Sequence, residues 1–376
     1  MKSALVLGAG MVGSAMARDL AALGDVEVTV ADASPVALAP LSGKERIAAL
    51  QTDLRVNATA LARGHDVVLG ALPSVLGFET LRSVILSGKP YVDVSFMAED
   101  ALELDDLAKE HRSVVIVDCG VSPGISNVLS GHAVATFDEA HAIEIYVGGL
   151  PALRKLPWQY KAAFAPHDVI EIYLRPARIV EHGREVVRAA LSEPELIDLP
   201  GVGTVEAFNT DGLRSLSRLP VPFMKEKTLR WPGHVDLIRA LRDGGFFSPD
   251  PIVVKGAQVI PREISSALLF PQWTYEEGEV DLTILRVVVT GSTSQGRSRL
   301  TWDLLDTYDP VSRLRSMSRT TAFPATVIAR LLLEGAFSEP GVHAPERLGT
   351  VPSLYASILD GLSTRGIHVH EKIEQL

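Results

Sequence analysis

With 376 residues, 47% of them apolar and 22% charged, the chain is long enough for two domains and has no compositional sign of disorder. A formal charge of −10 argues against a nucleic-acid or anionic-membrane surface, and no apolar run approaches the ~18 residues of a membrane span. Cys119 is the only cysteine, which excludes an internal disulfide and suits a reducing cytoplasm, and MKSALVLGAG lacks the pattern of a signal peptide.

In chain order, the apolar run SALVL (3–7) predicts a buried parallel strand. GAGMVG follows, with Gly8, Gly10 and Gly13 in the G-x-G-x-x-G spacing, and SAMARDLAALG then predicts a helix closed by Gly24. VEVTVAD (26–32) predicts the second strand and ends in Asp32, about 20 residues past the glycines. Gly8 permits the tight turn, Gly10 lets a pyrophosphate approach the backbone, and Gly13 lets helix and strand pack closely. Met11 and Val12 open the helix, whose N-terminus faces the phosphate charge. Asp32 accepts from ribose hydroxyls and repels a 2′-phosphate, so the expected cofactor is NAD rather than NADP.

The alternation continues through HDVVLGALP (65–73), YVDVSF (91–96) and SVVIVDCG (113–120), with FETLRSVILSG and ALELDDLAKEH as helices between them. This pattern predicts a Rossmann-type doubly wound parallel sheet, whose ligands sit beyond the carboxyl ends of the strands. Asp53, Leu54, Pro73 and Ser95 fall there as further cofactor candidates, and Ser74, Asp93, Phe96, Asp118 and Ser122 stand nearby. Ordinary helix caps and strand breakers are the plainer reading of any one of them.

After SPGISN (122–127) the texture changes. HAIEIYVGGLP (141–151), VIEIYLRPARIVEHG (169–183), GTVEAFNTDG (203–212), VDLTILRVVVTGS (280–292) and GRSRLTWDLLD (296–306) alternate with period two, predicting an antiparallel sheet with one solvated face. Helical signals return in SMSRTTAFPATVIARLLLEG (316–335) and SLYASILDGLSTRG. The expected organisation is a dinucleotide-binding domain of residues 1–122 plus 314–376, with an inserted α+β domain of residues 123–313 for substrate binding and dimerisation.

LGAGMVG, YVDVSFM, DCGVSPGISN, IYVGGLP, NTDGLRSL, TLRWPGH and SMSRTTAFPA run over nearly the whole chain. Together they resemble the saccharopine dehydrogenase superfamily, most of all its bacterial and archaeal L-lysine 6-dehydrogenases. The resemblance implies a nicotinamide enzyme acting at an amine carbon, a C-terminal segment that returns to the first domain, and a homodimer. Saccharopine-forming reductases carry a Tyr, an Asp and a Cys where this chain resembles them with Phe96, Ser122 and Val147, a departure that counts against saccharopine and is compatible with free lysine or with a carboxylated polyamine.

For a lysine substrate, the α-carboxylate needs a fixed planar cation, and arginine supplies two parallel donors. Arg230 and Arg214 are the candidates, with Thr228 and Ser122 beside them, Asp211 for the α-ammonium group, and Trp231 and Phe96 along the methylene chain. Plainer readings are core packing for Trp231, surface ion pairs for the arginines and a helix N-cap for His234 ahead of VDLIRALRDGG. Hydride transfer requires a neutral amine, so a base must take its proton; His234, Asp118 and Lys161 are the candidates. The oxidised ring is the electron sink, so no metal is expected, and the ten histidines show no zinc spacing. The leading expectation is NAD-dependent oxidative deamination of the lysine ε-amine to the semialdehyde of 2-aminoadipate, which cyclises to a piperideine carboxylate. The alternative is a saccharopine- or carboxynorspermidine-type NADP-dependent reductase joining an amine to an oxo acid. A non-catalytic NAD sensor is a third reading.

Overall fold

The computed structural model describes residues 1–163 and 166–376. Its first unit comprises Met1–Thr136 and Ser318–His368, and its second Phe137–Met317 and Val369–Leu376.

The first unit begins with β1 (Lys2–Leu7), β2 (Val26–Asp32), β3 (Ile47–Gln51), β4 (Val67–Gly70), β5 (Tyr91–Asp93) and β6 (Val114–Ile116). In space they run β6-β5-β4-β1-β2-β3, every pair parallel. Ala4–Leu7 and Val67–Leu69 have no solvent exposure, which is why these strands read as continuous apolar runs: helices cover both faces. The chain builds outward from β1 to β3, then crosses back to β4 on the other side of β1. That reversal is the topological switch point at which doubly wound sheets bind ligands.

The second unit contains β7 (Glu139–Pro151), β8 (Ala177–Glu181), β9 (Arg184–Arg188), β10 (Glu195–Leu199), β11 (Gly203–Asn209), β12 (Phe223–Arg230), β13 (Ile252–Val254), β14 (Ala257–Val259), β15 (Asp281–Thr293) and β16 (Gly296–Thr307). Its large sheet runs β10-β11-β12-β7-β15-β16, with β8 pairing both β12 and β9 and the β13–β14 hairpin separate. Near the C-terminus, β17 (Gly341–His343) extends the first sheet parallel to β6, and β18 (His370–Gln375) pairs antiparallel with β16.

Four details differ from the sequence expectations. The second sheet is mixed, because β12 runs parallel to β7. Residues 169–183 are not one strand: a helix, Pro166–Leu174, precedes β8. That helix buries Val169, Ile170 and Tyr173, an i, i+1, i+4 stripe that resembles alternation over so short a run, and it stops before the Arg175–Pro176 pair. The boundary expected at 122/123 falls before the helix Ile125–Thr136, which belongs to the first unit. Finally, residues 369–376 join the second unit. The helix Ser316–Leu333 and the turn after the helix Pro352–Ser363 bring side chains onto the first helix of the first unit and the turn after it: Thr326 and Arg365 bond Asp19, and Arg330 bonds Asp25.

Candidate functional site

In the first unit, the glycine turn joins β1 to the helix Met11–Ala22. Gly8 has φ +102°, and a Cβ there would collide with the Ala71 carbonyl; one on Gly13 would collide with the Gly8 carbonyl. Gly10 is different, with no atom within 4 Å of where its Cβ would stand. The turn thus packs tightly on its inner side and is open at Gly10, where free amide groups at the start of a 12-residue helix suit a pyrophosphate. Met11 is exposed and Val12 half-buried in that first turn. Asp32, at the end of β2, already holds two amides: Oδ2 accepts from Ala9 N–H at 2.7 Å and Oδ1 from Ser34 N–H at 2.7 Å. Its carboxylate therefore braces the glycine turn.

Past the ends of β4 and β5, Ser95 Oγ accepts from Leu72 N–H at 3.2 Å, next to Pro73, which precedes the helix Ser74–Ile85. Asp93 lies beneath, wholly buried, bonded to the Tyr91 hydroxyl and to Ser95 N–H at 2.5 Å. Burial raises the Asp93 pKa to about 7 despite the hydrogen bonds from Tyr91 and Ser95. Asp118 is buried with φ +55°, Phe96 is half-buried, and Ser122 Oγ is buried without a hydrogen-bond partner among the described residues. Asp53 caps the helix Leu54–Arg63 and pairs with Arg55 at 2.7 Å, so it and Leu54 stand at the outer end of the row.

In the second unit, a polar cluster surrounds Arg230. This arginine is only 2% exposed. Its Nε donates to the Tyr173 hydroxyl at 3.0 Å and Nη1 to the Leu229 carbonyl at 2.8 Å, and its guanidinium carbon stands 4.5 Å from the Tyr160 ring centroid. Tyr173 in turn lies 2.9 Å from His234 Nε2, whose Nδ1 lies 2.8 Å from the Trp158 carbonyl. A carbonyl only accepts, so Nδ1 carries the proton, Nε2 accepts from Tyr173, and Tyr173 accepts from Arg230. The chain of donors is consistent from guanidinium to carbonyl. Burial first, then the Arg230 charge, lowers the His234 pKa to about 3, so the ring is neutral.

That arrangement changes three expectations. His234 is the first residue of its helix, with Gly233 (φ +93°) as N-cap, and both ring nitrogens are engaged; it fastens Tyr173 rather than meeting an amine. Asp211 is taken by Arg178, which donates Nε at 2.8 Å and Nη2 at 2.9 Å, so it is not free for an α-ammonium group. Lys161 is nearly buried, bonded to Glu279 and to the Thr274 carbonyl at 3.0 Å, beside the Tyr275 ring. Burial would raise the Glu279 pKa, but hydrogen bonds from Lys155 and Lys161 bring it down to about 2.

Thr228, one pleat before Arg230, shares a 2.9 Å hydrogen bond with Thr210, whose hydroxyl also bonds Glu226. Arg214 begins a 3-10 turn, with φ +52°. Trp231 packs in the core, and its indole N–H donates to the Pro151 carbonyl at 2.9 Å, matching the plainer reading. Sequence reasoning missed Tyr160 and Tyr173, which hold Arg230. Tyr160 sat inside the WQYKAAF stretch chosen for its lysine, and Tyr173 inside a segment read as strand.

Comparisons with known proteins fit this geometry. Residues 4–116 match the saccharopine dehydrogenase NADP binding domain and residues 120–367 the saccharopine dehydrogenase C-terminal domain. The NADP-dependent, L-glutamate-forming saccharopine dehydrogenase of Schizosaccharomyces pombe is 26% identical, covering 99% of both chains. The carboxyaminopropylagmatine dehydrogenase of Synechocystis is 22% identical over 99% of this chain and 98% of its own. Among solved structures, apo saccharopine dehydrogenase (L-Glu forming) from Saccharomyces cerevisiae superposes with a TM-score of 0.83 at 20% identity, covering all of both chains.

Proposed function

Because the chain belongs to the saccharopine dehydrogenase family, we propose that it is a nicotinamide-dependent dehydrogenase of a carboxylated secondary amine. The reaction is: secondary amine plus oxidised nicotinamide plus water gives primary amine, carbonyl compound, reduced nicotinamide and a proton. Run backward, it joins an amine to an oxo compound. The full-length relatives named for saccharopine and carboxyaminopropylagmatine favour this reading over deamination of free lysine, the leading expectation from sequence.

The observation that carries the proposal is Arg230: a buried guanidinium with no ion-pair partner among the described residues, held in one pose by Tyr173, Tyr160 and the Leu229 carbonyl. An unpaired buried charge is costly, and a carboxylate ligand repays that cost with two parallel hydrogen bonds. The bound cofactor supplies the hydride acceptor. In this reading Asp118 takes the proton that leaves the amine, Lys161 stays paired with Glu279, and His234 positions Tyr173 and, through it, Arg230. The cofactor is NAD, since Asp32 closes β2 and Ala33, Ser34 and Pro35 after it offer no cation to a 2′-phosphate. The protein works as a homodimer in the cytoplasm.

The test is a panel of primary amines and amino acids, each with and without 2-oxo acids and aldehydes, against NADH and NADPH at 340 nm. Oxidation of NADH that needs both an amine and an oxo compound is the expected result. Reduction of NAD by free lysine with release of ammonia, and no oxo-compound requirement, restores the lysine 6-dehydrogenase reading. Faster turnover with NADPH than NADH removes the NAD assignment.

A further inference from the structure

Among the buried hydroxyl groups of the second unit that have no hydrogen-bond partner among the described residues are Tyr275 Oη and Thr283 Oγ1. Tyr275 is 8% exposed and Thr283 is not exposed. A buried polar atom left unbonded costs roughly as much as a lost hydrogen bond, and native structures rarely keep one without a use. Both belong to the neighbourhood of Arg230.

Sheet register places Thr283. It lies opposite Gly149 on β7, and cross-strand partners share a face. β12 pairs Thr228 with Val147, so one pleat further on Arg230 is level with Gly149. Arg230, Gly149 and Thr283 thus form a row across three strands, the outer two about 10 Å apart. Glycine keeps the middle of the row low: a Cβ there would stand 2.6 Å from Met317 Cε. Asp281, one pleat before Thr283 on the same face, is wholly buried, and its oxygens accept from Ser316 N–H at 2.8 Å and Met317 N–H at 3.1 Å. Each carboxylate oxygen has a second acceptor site.

Tyr275 joins the same group. Arg315, whose chain neighbour Ser316 donates to Asp281, lies 4.5 Å over its ring, and Lys161 Nζ, next in the chain to the Tyr160 that carries the Arg230 guanidinium on its ring, lies 5.8 Å from it. Burial, then the Asp281 carboxylate, pushes that hydroxyl up, so it stays protonated. One end of the row is cationic and the other holds a carboxylate with two open hydroxyls.

We propose that Tyr275 and Thr283, beside Asp281, form the ammonium half of an α-amino-acid head-group site whose carboxylate half is Arg230. The two hydroxyl oxygens accept N–H groups of the α-ammonium, Asp281 balances its charge, and Arg230 takes the carboxylate. The role expected for Asp211 passes to this trio, because Arg178 occupies Asp211. The carboxylate half rests on the reading of Arg230 given above.

L-Norleucine is the probe, since it has the head group and no second amine to react; hexanoate lacks only the α-ammonium. Norleucine is expected to bind wild-type protein at least about fivefold more tightly than hexanoate, the discrimination of one unmade buried hydrogen bond. Tyr275→Phe and Thr283→Val each shrink that ratio, while the melting temperature of the free protein holds or rises, because each change removes an unbonded hydroxyl. Hexanoate binding as tightly as norleucine to wild type overturns the proposal, as does a ratio unchanged in both variants. A melting temperature that falls in both, with the ratio intact, identifies structural hydroxyls and also overturns it. If no amine is turned over but the norleucine preference stands and depends on these hydroxyls, the dehydrogenase reading fails and the head-group site survives.

Discussion

Arg230 has almost no access to water, and its neighbours are a phenol, a carbonyl and two aromatic faces rather than a carboxylate. That is a poor arrangement for stability and a good one for ligand recognition. Arg230→Ala is expected to raise the substrate KM roughly 30-fold or more, the scale of a lost charged hydrogen-bond pair, and to leave the dinucleotide Kd unchanged. Arg230→Lys should not rescue it, since an ammonium lacks the planar fork. Equal kinetics in wild type and Arg230→Ala would take this residue out of the site. His234 gives a pH prediction at the same scale. Its folded pKa of about 3 lies below the ~6.5 of an unfolded histidine, so the unfolded chain binds the extra proton. This contribution to stability is complete above pH ~6.5 and is lost as pH falls toward 3, at up to ~1.4 kcal/mol per unit. Urea unfolding from pH 7 to 4 should show a shallower decline in His234→Gln than in wild type; identical slopes would mean the ring is protonated in the folded state.

At the scale of an element, the glycine turn separates packing from binding. Gly13 has the Gly8 carbonyl against it, whereas Gly10 faces open space. Gly13→Ala is expected to destabilise the protein by about 1–3 kcal/mol through overpacking. Gly10→Ala is expected to melt like wild type and bind dinucleotide at least tenfold more weakly, because its methyl group occupies the phosphate approach. Melting curves and dinucleotide titrations check both, and wild-type affinity in Gly10→Ala would contradict the cradle. The elements most legible in the sequence are those of this first unit: continuous apolar strands between capped helices admit one arrangement. The helix Pro166–Leu174 was not legible, because Val169, Ile170 and Tyr173 make a stripe too short to tell a period of 3.6 from one of 2.

At the scale of the whole molecule, the chain enters the first unit, leaves it for the second, and returns. The return is held by Asp19, on the helix Met11–Ala22, which accepts from Arg365 at 2.8 Å and from Thr326 at 2.5 Å. This pair is largely buried, at 13% and 9% side-chain exposure, so breaking one side leaves an uncompensated charge. Asp19→Ala is expected to cost about 3 kcal/mol in urea unfolding. A change below about 0.5 kcal/mol would mean the C-terminal helices dock by apolar contact alone.

The amino-acid order alone determined the doubly wound sheet, the glycine turn, Asp32 at the end of β2 and the importance of TLRWPGH, because each is a local pattern whose physics acts within about 30 residues of chain. It also brought Arg230 and His234 to notice. Only the tertiary structure decided what those two do. Tyr173 lies 57 residues before Arg230, Trp158 lies 76 before His234, and Arg178 lies 33 before Asp211. Hydrogen-bond satisfaction across such separations depends on which side chains the sheet and helices bring together, and that removed Asp211 from the substrate, turned His234 from a base into a fastener, and left two hydroxyl groups waiting beside Asp281.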